Sequence, residues 1–229
     1  MARPNPQSIF IEGLMDGTAE TGDKVISVRN PIEDPSFVRV PPRSRTEVIP
    51  WDETIMLIAF TMSLRSKDPS TRVGAVITNS ENRILATGYN GTPIGISDDQ
   101  MIYNNDTEHL PFEQTKYAYV AHAEENALNN FIGLREQMRG GNLYTTLFPC
   151  NNCAKMIAAN RIANVFFLEG PRSPDSPETK AAILTLKTAN IKAYQVVPSD
   201  RSIDLTVNQL RELKNAKNII AITPPNTDN

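Results

Sequence analysis

The pattern of apolar and polar residues becomes regular at Trp51. Over residues 51–64, apolar side chains recur at helical spacing from Ile55 to Met62. Asp52 and Glu53 stand near the start of this segment, where acidic side chains interact favourably with a helix dipole. The pattern therefore predicts a helix over 51–64.

Short apolar runs then alternate with helical patterns along the rest of the chain. Strands are predicted over 72–78, 84–89, 142–146, 165–168 and 191–197. Helices are predicted over 122–131, 150–160, 177–188 and 203–214. The polar stretch 91–116 shows little periodicity, and its length is typical of a functional loop. The alternation predicts the α/β class, as a three-layer α/β/α sandwich around one mixed sheet.

The first 50 residues have a different composition. They hold seven of the 17 prolines and show no sustained helical period, with short strands predicted only around 8–11 and 24–28. We interpret residues 1–50 as a Pro-rich N-terminal arm and residues 51–229 as one domain. The arm is either a poorly ordered tail or a segment that wraps over the domain or over a neighbouring subunit.

The length and the net charge of the chain restrict the classes of protein to which it can belong. A chain of 229 residues suits one domain with an extension. The net charge of −3 and the pI near 5.5 do not favour nucleic-acid binding, which usually needs a basic excess. No apolar run is long enough for a membrane helix, and the N-terminus does not resemble a signal peptide. We therefore expect a cytoplasmic protein that binds small molecules, and neither nucleic acid nor membrane.

Both cysteines and one of the two histidines fall in two short motifs, His122-Ala123-Glu124 and Pro149-Cys150-Asn151-Asn152-Cys153. Each motif opens a predicted helix, where the dipole favours thiolates. His122, Cys150 and Cys153 are three candidate zinc ligands, and three protein ligands leave one position open, as in catalytic zinc sites. Alternatives are a redox pair, two buried small residues, or a closed zinc site with His109 as fourth ligand.

The spacing matches the H-x-E…P-C-x-x-C signature of zinc deaminases. Zinc would lower the pKa of a water in the open position from 15.7 toward roughly 7, which makes hydroxide available at neutral pH. Glu124 would not be a ligand. It would carry protons to the ring nitrogen and then to the departing amine, so that ammonia leaves and a carbonyl remains.

From about residue 51 to residue 197, the sequence resembles the deoxycytidylate (dCMP) deaminase family of the cytidine deaminase superfamily. The zinc motif is common to the whole superfamily, and two further runs narrow the resemblance to this branch. They are Ser66-Lys67-Asp68-Pro69-Ser70-Thr71 and Gly88-Tyr89-Asn90-Gly91-Thr92-Pro93. The resemblance also includes Val73-Gly74-Ala75-Val76-Ile77, Ser97-Asp98-Asp99 and the run from Lys116 to Glu124.

The resemblance implies a central five-stranded sheet, zinc, a homo-oligomer that is often a hexamer, and conversion of dCMP to dUMP for thymidylate synthesis. It implies activation by dCTP and inhibition by dTTP, with Mg²⁺ at the allosteric nucleotide. For the substrate, it implies that Asn90 contacts the sugar hydroxyl and the backbone of Ala123 contacts the base. The implied phosphate contacts are Arg65, Ser66 and Lys67 in the 65–71 loop, with Tyr117 or Tyr119. The implied allosteric residues are Gly91, Thr92, Gly95, Asp98 and Asp99.

Several alternatives stay open at this stage. Arg65 and Lys67 could form a solvated helix end, Asp98-Asp99 could be a solvated loop pair, and Tyr117 and Tyr119 could face one side of a strand for core packing. The substrate could instead be dCTP or a 5-substituted dCMP. A base deaminase acting on nucleic acid and a non-catalytic nucleotide-sensing zinc protein are the remaining functions to be distinguished.

Overall fold

The computed structural model describes residues 48–97 and 103–215. Apart from Val48, these residues belong to a compact unit that begins at Ile49. Residues 1–47 of the predicted N-terminal arm lie outside the described residues, and so do Asp98 and Asp99. None of the helices in the described ranges combines the length and the hydropathy needed to cross a bilayer.

Five strands and five α-helices make up the described part of the unit. The strands are β1 (Gly74–Thr78), β2 (Ile84–Tyr89), β3 (Asn142–Leu147), β4 (Asn164–Glu169) and β5 (Lys192–Gln195). The helices are α1 (Trp51–Ser63), α2 (Ala123–Asn129), α3 (Asn151–Ala159), α4 (Pro177–Thr188) and α5 (Asp200–Asn215). Short 3₁₀ helices occupy Phe112–Gln114, Lys116–Ala118 and Arg135–Met138.

The strands form one sheet in the order β2-β1-β3-β4-β5. β1 pairs antiparallel with both β2 and β3, whereas β3, β4 and β5 run parallel. The prediction of a mixed five-stranded sheet is therefore confirmed. The parallel strands matter for the site, because their carboxyl ends lie at one edge of the sheet, where ligands bind in open α/β sheets.

Helices cover both faces of the sheet because neighbouring strand residues point to opposite sides. Val76 and Tyr144 pack against α1 in one apolar cluster. Ile77 and Leu143, one position away in each strand, pack in a second cluster with residues of α2, α3 and α4, among them Ala127, Ile157 and Ala182. The predicted three-layer α/β/α sandwich is confirmed by these two clusters.

One alternative that the sequence left open does not hold, and it concerns the site. Tyr117 and Tyr119 could have faced one side of a possible strand, but Lys116–Ala118 is a 3₁₀ helix, and Tyr119 follows it as the C-cap. The turn is stabilised locally, since the backbone N–H groups of Tyr119 and Val120 both donate to the Lys116 carbonyl. The two tyrosines therefore do not share a strand face.

Gly88 allows α2 to lie close to β2. A Cβ atom at this position would fall against the backbone of α2, at Ala123 and Ala127. Two side-chain amides hold the contact on either side of Gly88. Asn126 donates to the Tyr89 carbonyl at 2.8 Å, and Asn130 donates to the Thr87 carbonyl at 2.9 Å. Because α2 follows directly on His122, this packing also fixes the position of the first candidate ligand.

Candidate metal centre and active site

The helices α2 and α3 begin next to each other, and each is preceded by a candidate ligand. His122 is the N-cap of α2 and Cys150 is the N-cap of α3, both with extended backbone. Cys153 lies in the first turn of α3 and is buried. The backbone N–H of His122 donates to the Glu125 carboxylate at 3.4 Å, which ties the histidine to its own helix.

The three candidate ligands converge on one point. The Sγ atoms of Cys150 and Cys153 each lie 3.4 Å from Nδ1 of His122. One donor atom from each residue falls within 4.8 Å of the others. Imidazole nitrogen and thiolate sulfur are the donors that zinc prefers, and three of them leave room for a fourth, non-protein ligand. The geometry and the donor chemistry of these residues therefore fit a zinc ion.

Glu124 lies beside this group but is a separate element of the site. Its side chain is buried, with Oε2 3.5 Å from Cys153 Sγ and Oε1 3.4 Å from the hydroxyl of Thr145 in β3. Burial raises the pKa of the Glu124 carboxyl, because the charged form loses its hydration. A raised pKa moves a carboxyl group toward the working range of a general acid–base, which must both take up and release a proton.

The pKa values of the three candidate ligands are shifted in different directions. The hydrogen bonds of Cys150 with Cys153 and with His122 lower the pKa of the Cys150 thiol to about 3. The bond to Cys150, burial and the nearby Glu124 raise the pKa of Cys153. The same Cys150 sulfur, with Glu124, raises the pKa of His122 to about 9. Zinc binds thiolate and neutral imidazole, so its binding at this group would release the protons that these shifts favour on Cys153 and His122.

A cavity of about 240 Å³ opens in front of His122, Glu124 and Cys150. Its apolar wall includes Leu147 and Phe148, which join β3 to the second motif. Its polar wall comes from four separate segments of the chain, and contains Asp68, Thr71, Asn90, Lys116 and Arg172. A cavity with apolar lining and a few fixed polar groups is typical of a small-molecule site.

Comparison with known proteins agrees with this arrangement. The sequence profile described as the cytidine and deoxycytidylate deaminase zinc-binding region matches residues 49–169, which is more than half of the chain. The chain belongs to this deaminase family. The resemblance inferred from the motifs is thereby confirmed.

Relatives from several animals cover most of the chain. The deoxycytidylate deaminase of Mus musculus is 38% identical over 175 residues, which is 76% of this chain and 96% of the relative. The probable deoxycytidylate deaminase of Drosophila melanogaster is 38% identical over 172 residues, 73% of this chain and 83% of the relative. A crystal structure of the dCMP deaminase of cyanophage S-TIM5 with dCMP and dUMP superposes with a TM-score of 0.49 at 28% identity, covering 63% of this chain and 95% of that one.

The structure of this deaminase-family protein distributes the predicted substrate residues over two places. Asn90, Tyr117 and Ala123 line the cavity beside the candidate ligands, together with the predicted catalytic residue Glu124. Arg65 and Lys67 instead line a second, more polar cavity of about 340 Å³. Neighbouring residues of this segment line different cavities, since Asp68 lines the first and Lys67 lines the second.

The remaining predicted substrate residues make contacts within the protein. The Ser66 side chain is buried and its hydroxyl oxygen accepts the backbone N–H of Asp68 at 3.3 Å. Tyr119 is not among the residues of either cavity, and its hydroxyl donates to the Glu113 carbonyl at 2.8 Å. Neither residue lines the first cavity, so their predicted phosphate contacts remain predictions.

Of the predicted allosteric residues, Gly91 and Thr92 line the second cavity together with Tyr89 and Pro93. Gly95 has a backbone φ of 105°, a conformation that favours glycine, and a Cβ there would meet open space. Asp98 and Asp99 fall outside the described residues, so their predicted role is untested.

Sequence reasoning missed three charged residues of the first cavity, Asp68, Lys116 and Arg172. Asp68 and Lys116 stand in the runs that carried the family resemblance, but no local pattern indicates that they meet. Arg172 follows β4, whose parallel pairing with β3 brings its carboxyl end to the same edge as the second motif. A cation just after a parallel strand is the one signal that could have identified it.

Proposed function

We propose that this protein is a zinc-dependent deaminase that hydrolyses dCMP to dUMP and ammonia, and so supplies the precursor of dTMP. The observation that carries the proposal is the position of Glu124 beside the His122, Cys150 and Cys153 donors, where Glu124, His122 and Cys150 line a cavity of about 240 Å³. The relatives named as deoxycytidylate deaminases support dCMP as the substrate.

In this mechanism, His122, Cys150 and Cys153 would hold the zinc ion. When bound, zinc supplies acidity to a water, so that a nucleophile is available at neutral pH. Glu124 would take the proton of that water and deliver it to the ring nitrogen of cytosine. The oxygen of the water would form the new C–O bond at the ring carbon that bears the amine. Glu124 would then take the proton of the new hydroxyl group and pass it to the amine, so that the C–N bond breaks, ammonia leaves and the carbonyl forms. The backbone of Ala123 and the ring of Phe148 would hold the base.

The charges of the cavity indicate where the substrate phosphate lies. Lys116 is already paired with Asp68 at 2.7 Å. Arg172 forms no ion pair within the described residues, and its Nη1 donates only to the neutral hydroxyl of Thr71, at 2.7 Å. A guanidinium group without a carboxylate partner is suited to bind phosphate through paired hydrogen bonds. We therefore assign the phosphate to Arg172, with the predicted residue Tyr117 on the same wall.

Ammonia release from a substrate panel tests this function. The panel contains dCMP, dCTP, 5-methyl-dCMP, cytidine and an RNA hairpin, and dCMP should give the highest kcat/KM. A higher value for dCTP or for the 5-substituted nucleotide would replace dCMP as the substrate, and release only from RNA would overturn the proposal. The Arg172→Ala variant should lose about 10- to 100-fold in kcat/KM for dCMP, since a hydrogen bond to a charged group contributes about 1.5–3 kcal/mol.

We also propose that the second cavity binds a regulatory nucleotide with Mg²⁺, with dCTP as activator and dTTP as inhibitor. Arg65 and Lys67 supply positive charge on one wall, and Gly91 and Thr92 form another. Gly91 directly follows Asn90 of the first cavity, so a ligand there could shift the substrate wall. Initial rates against dCMP concentration, with and without each nucleotide, test this. A hyperbolic curve that neither nucleotide shifts below millimolar concentration would contradict it.

Three further properties complete the proposal. The deaminase domain spans 51–229, and residues 1–50 form an extension. The protein acts in the cytoplasm. It forms a homo-oligomer, with a hexamer favoured. Light scattering of the full chain measures the oligomer directly, and a monomeric mass at micromolar concentration would contradict it.

A further inference from the structure

A buried ion pair lies in the wall of the first cavity, apart from the candidate ligands and from Glu124. Lys116 Nζ and Asp68 Oδ2 are 2.7 Å apart, with the lysine side chain 6% exposed and the aspartate side chain 1% exposed. Burial of two charges is costly, and such a pair is weak evidence for a contribution to stability. The position of the pair in the cavity wall is therefore better explained by a role in organising the site than by a contribution to stability.

The aspartate holds the loop that follows it. Asp68 Oδ1 accepts the backbone N–H groups of Ser70 at 2.8 Å and of Thr71 at 3.1 Å. Asp68 Oδ2 also lies 3.4 Å from Asn90 Nδ2, which donates to the Thr71 carbonyl at 2.9 Å. The oxygen of that amide, Asn90 Oδ1, accepts the Val73 N–H at 2.8 Å. Both ends of the Asn90 amide are thus engaged in fixing the 68–73 loop.

The lysine ties this loop to a distant part of the chain. Its backbone N–H donates to the Asn104 carbonyl at 2.8 Å, and its carbonyl accepts the N–H groups that close the 3₁₀ turn next to Tyr117. The other end of the network is Thr71, whose hydroxyl accepts from Arg172 at 2.7 Å. A chain of contacts therefore runs from Lys116 through Asp68 and Thr71 to Arg172, all of them cavity-lining residues.

We infer that the Asp68–Lys116 pair is a positioning device that sets the 68–73 loop, and through Thr71 the guanidinium of Arg172, against the substrate phosphate. The inference rests on the proposed function. Neither residue transfers a proton or touches the reacting atoms in this role. The ion pair carries no net charge, so Arg172 remains the group that attracts the substrate phosphate. The pair fixes the 68–73 loop, to which Arg172 is hydrogen-bonded through Thr71.

Three variants test the inference: Lys116→Met, Asp68→Asn, and the double variant Asp68→Asn/Lys116→Gln, in which two amides can replace the ion pair. A misplacement of about 1 Å can lower a rate constant about 100-fold. We expect each single variant to lower kcat/KM for dCMP by that order, through a higher KM as well as a lower kcat, and the double variant to regain most of the loss. Glu81→Gln, which removes the exposed Arg83–Glu81 pair, is the matched control and should leave both constants unchanged.

A merely structural role would give a different result. It would lower the melting temperature and the folded fraction, and so lower kcat per total protein, but it would leave KM unchanged. Unchanged KM in both single variants therefore overturns the inference.

Hydrogen exchange separates this failure from a failure of the proposed function. Amides of residues 70–73 should exchange faster in Lys116→Met than in the wild type, whatever the substrate is. Wild-type protein that releases no ammonia from dCMP would overturn the function, whereas unchanged exchange at 70–73 would overturn the positioning role.

Discussion

The replacement Gly88→Ala tests whether the contact between β2 and α2 sets the catalytic geometry. The new methyl group would lie 2.9 Å from Ala127 Cα, and nearer still to Ala127 N and the Ala123 carbonyl oxygen, whereas ordinary contacts begin at 3.4 Å. The neighbours are helix backbone, which the amides of Asn126 and Asn130 fasten to β2. The helix must therefore move away from the strand, and Glu124 and His122 must move with it.

The expected size of the effect follows from these distances. Relief of the overlap needs a shift of about half an ångström to 1 Å, and a displacement of that size can cost about 10- to 100-fold in rate. Overpacking should also lower the free energy of unfolding by about 1–3 kcal/mol. Ammonia release, zinc content and thermal unfolding are measured on the same preparations, so that loss of rate is expressed per folded, zinc-loaded chain.

Two glycine variants serve as controls. Gly170→Ala should behave as the wild type, because a Cβ there meets nothing within 4 Å. Gly74→Ala overpacks the opposite face, against Ala59 and Ser63 of α1, and should lose stability but keep its rate per folded chain. If Gly88→Ala is less stable but keeps the wild-type kcat/KM, the link between this contact and the active site is refuted.

Three further predictions concern single side chains. Glu124→Gln should keep zinc and bind nucleotide but lose almost all turnover, and near-normal ammonia release would remove Glu124 from the mechanism. One zinc per chain is expected by metal analysis, and Cys150→Ala or Cys153→Ala should lose it; full occupancy in both variants would be incompatible with the assigned ligands. Tyr144→Phe should lower the free energy of unfolding by about 1 kcal/mol, because it removes the 2.7 Å hydrogen bond to Asp52; an unchanged denaturant midpoint would contradict this.

The sequence by itself determined the elements and the candidate metal ligands. The predicted helix 177–188 and strand 84–89 coincide with α4 and β2, because short-range periodicity and turn residues decide where such elements begin and end. The ligand triplet could be proposed because a donor set for zinc needs particular residue types at the starts of helices. The structure brings those donor atoms together as that motif implies.

Only the tertiary structure decided which charges share a cavity. Arg65 and Lys67 were the obvious cations near the substrate loop, yet they line the second cavity, while Lys116 and Arg172 line the first. Asp68 and Lys116 are 48 positions apart, and Arg172 and Thr71 are 101 apart. Contacts over such separations depend on how the strands and helices pack, and no local pattern records them. The motif therefore indicates the chemistry, whereas packing decides which side chains surround the substrate.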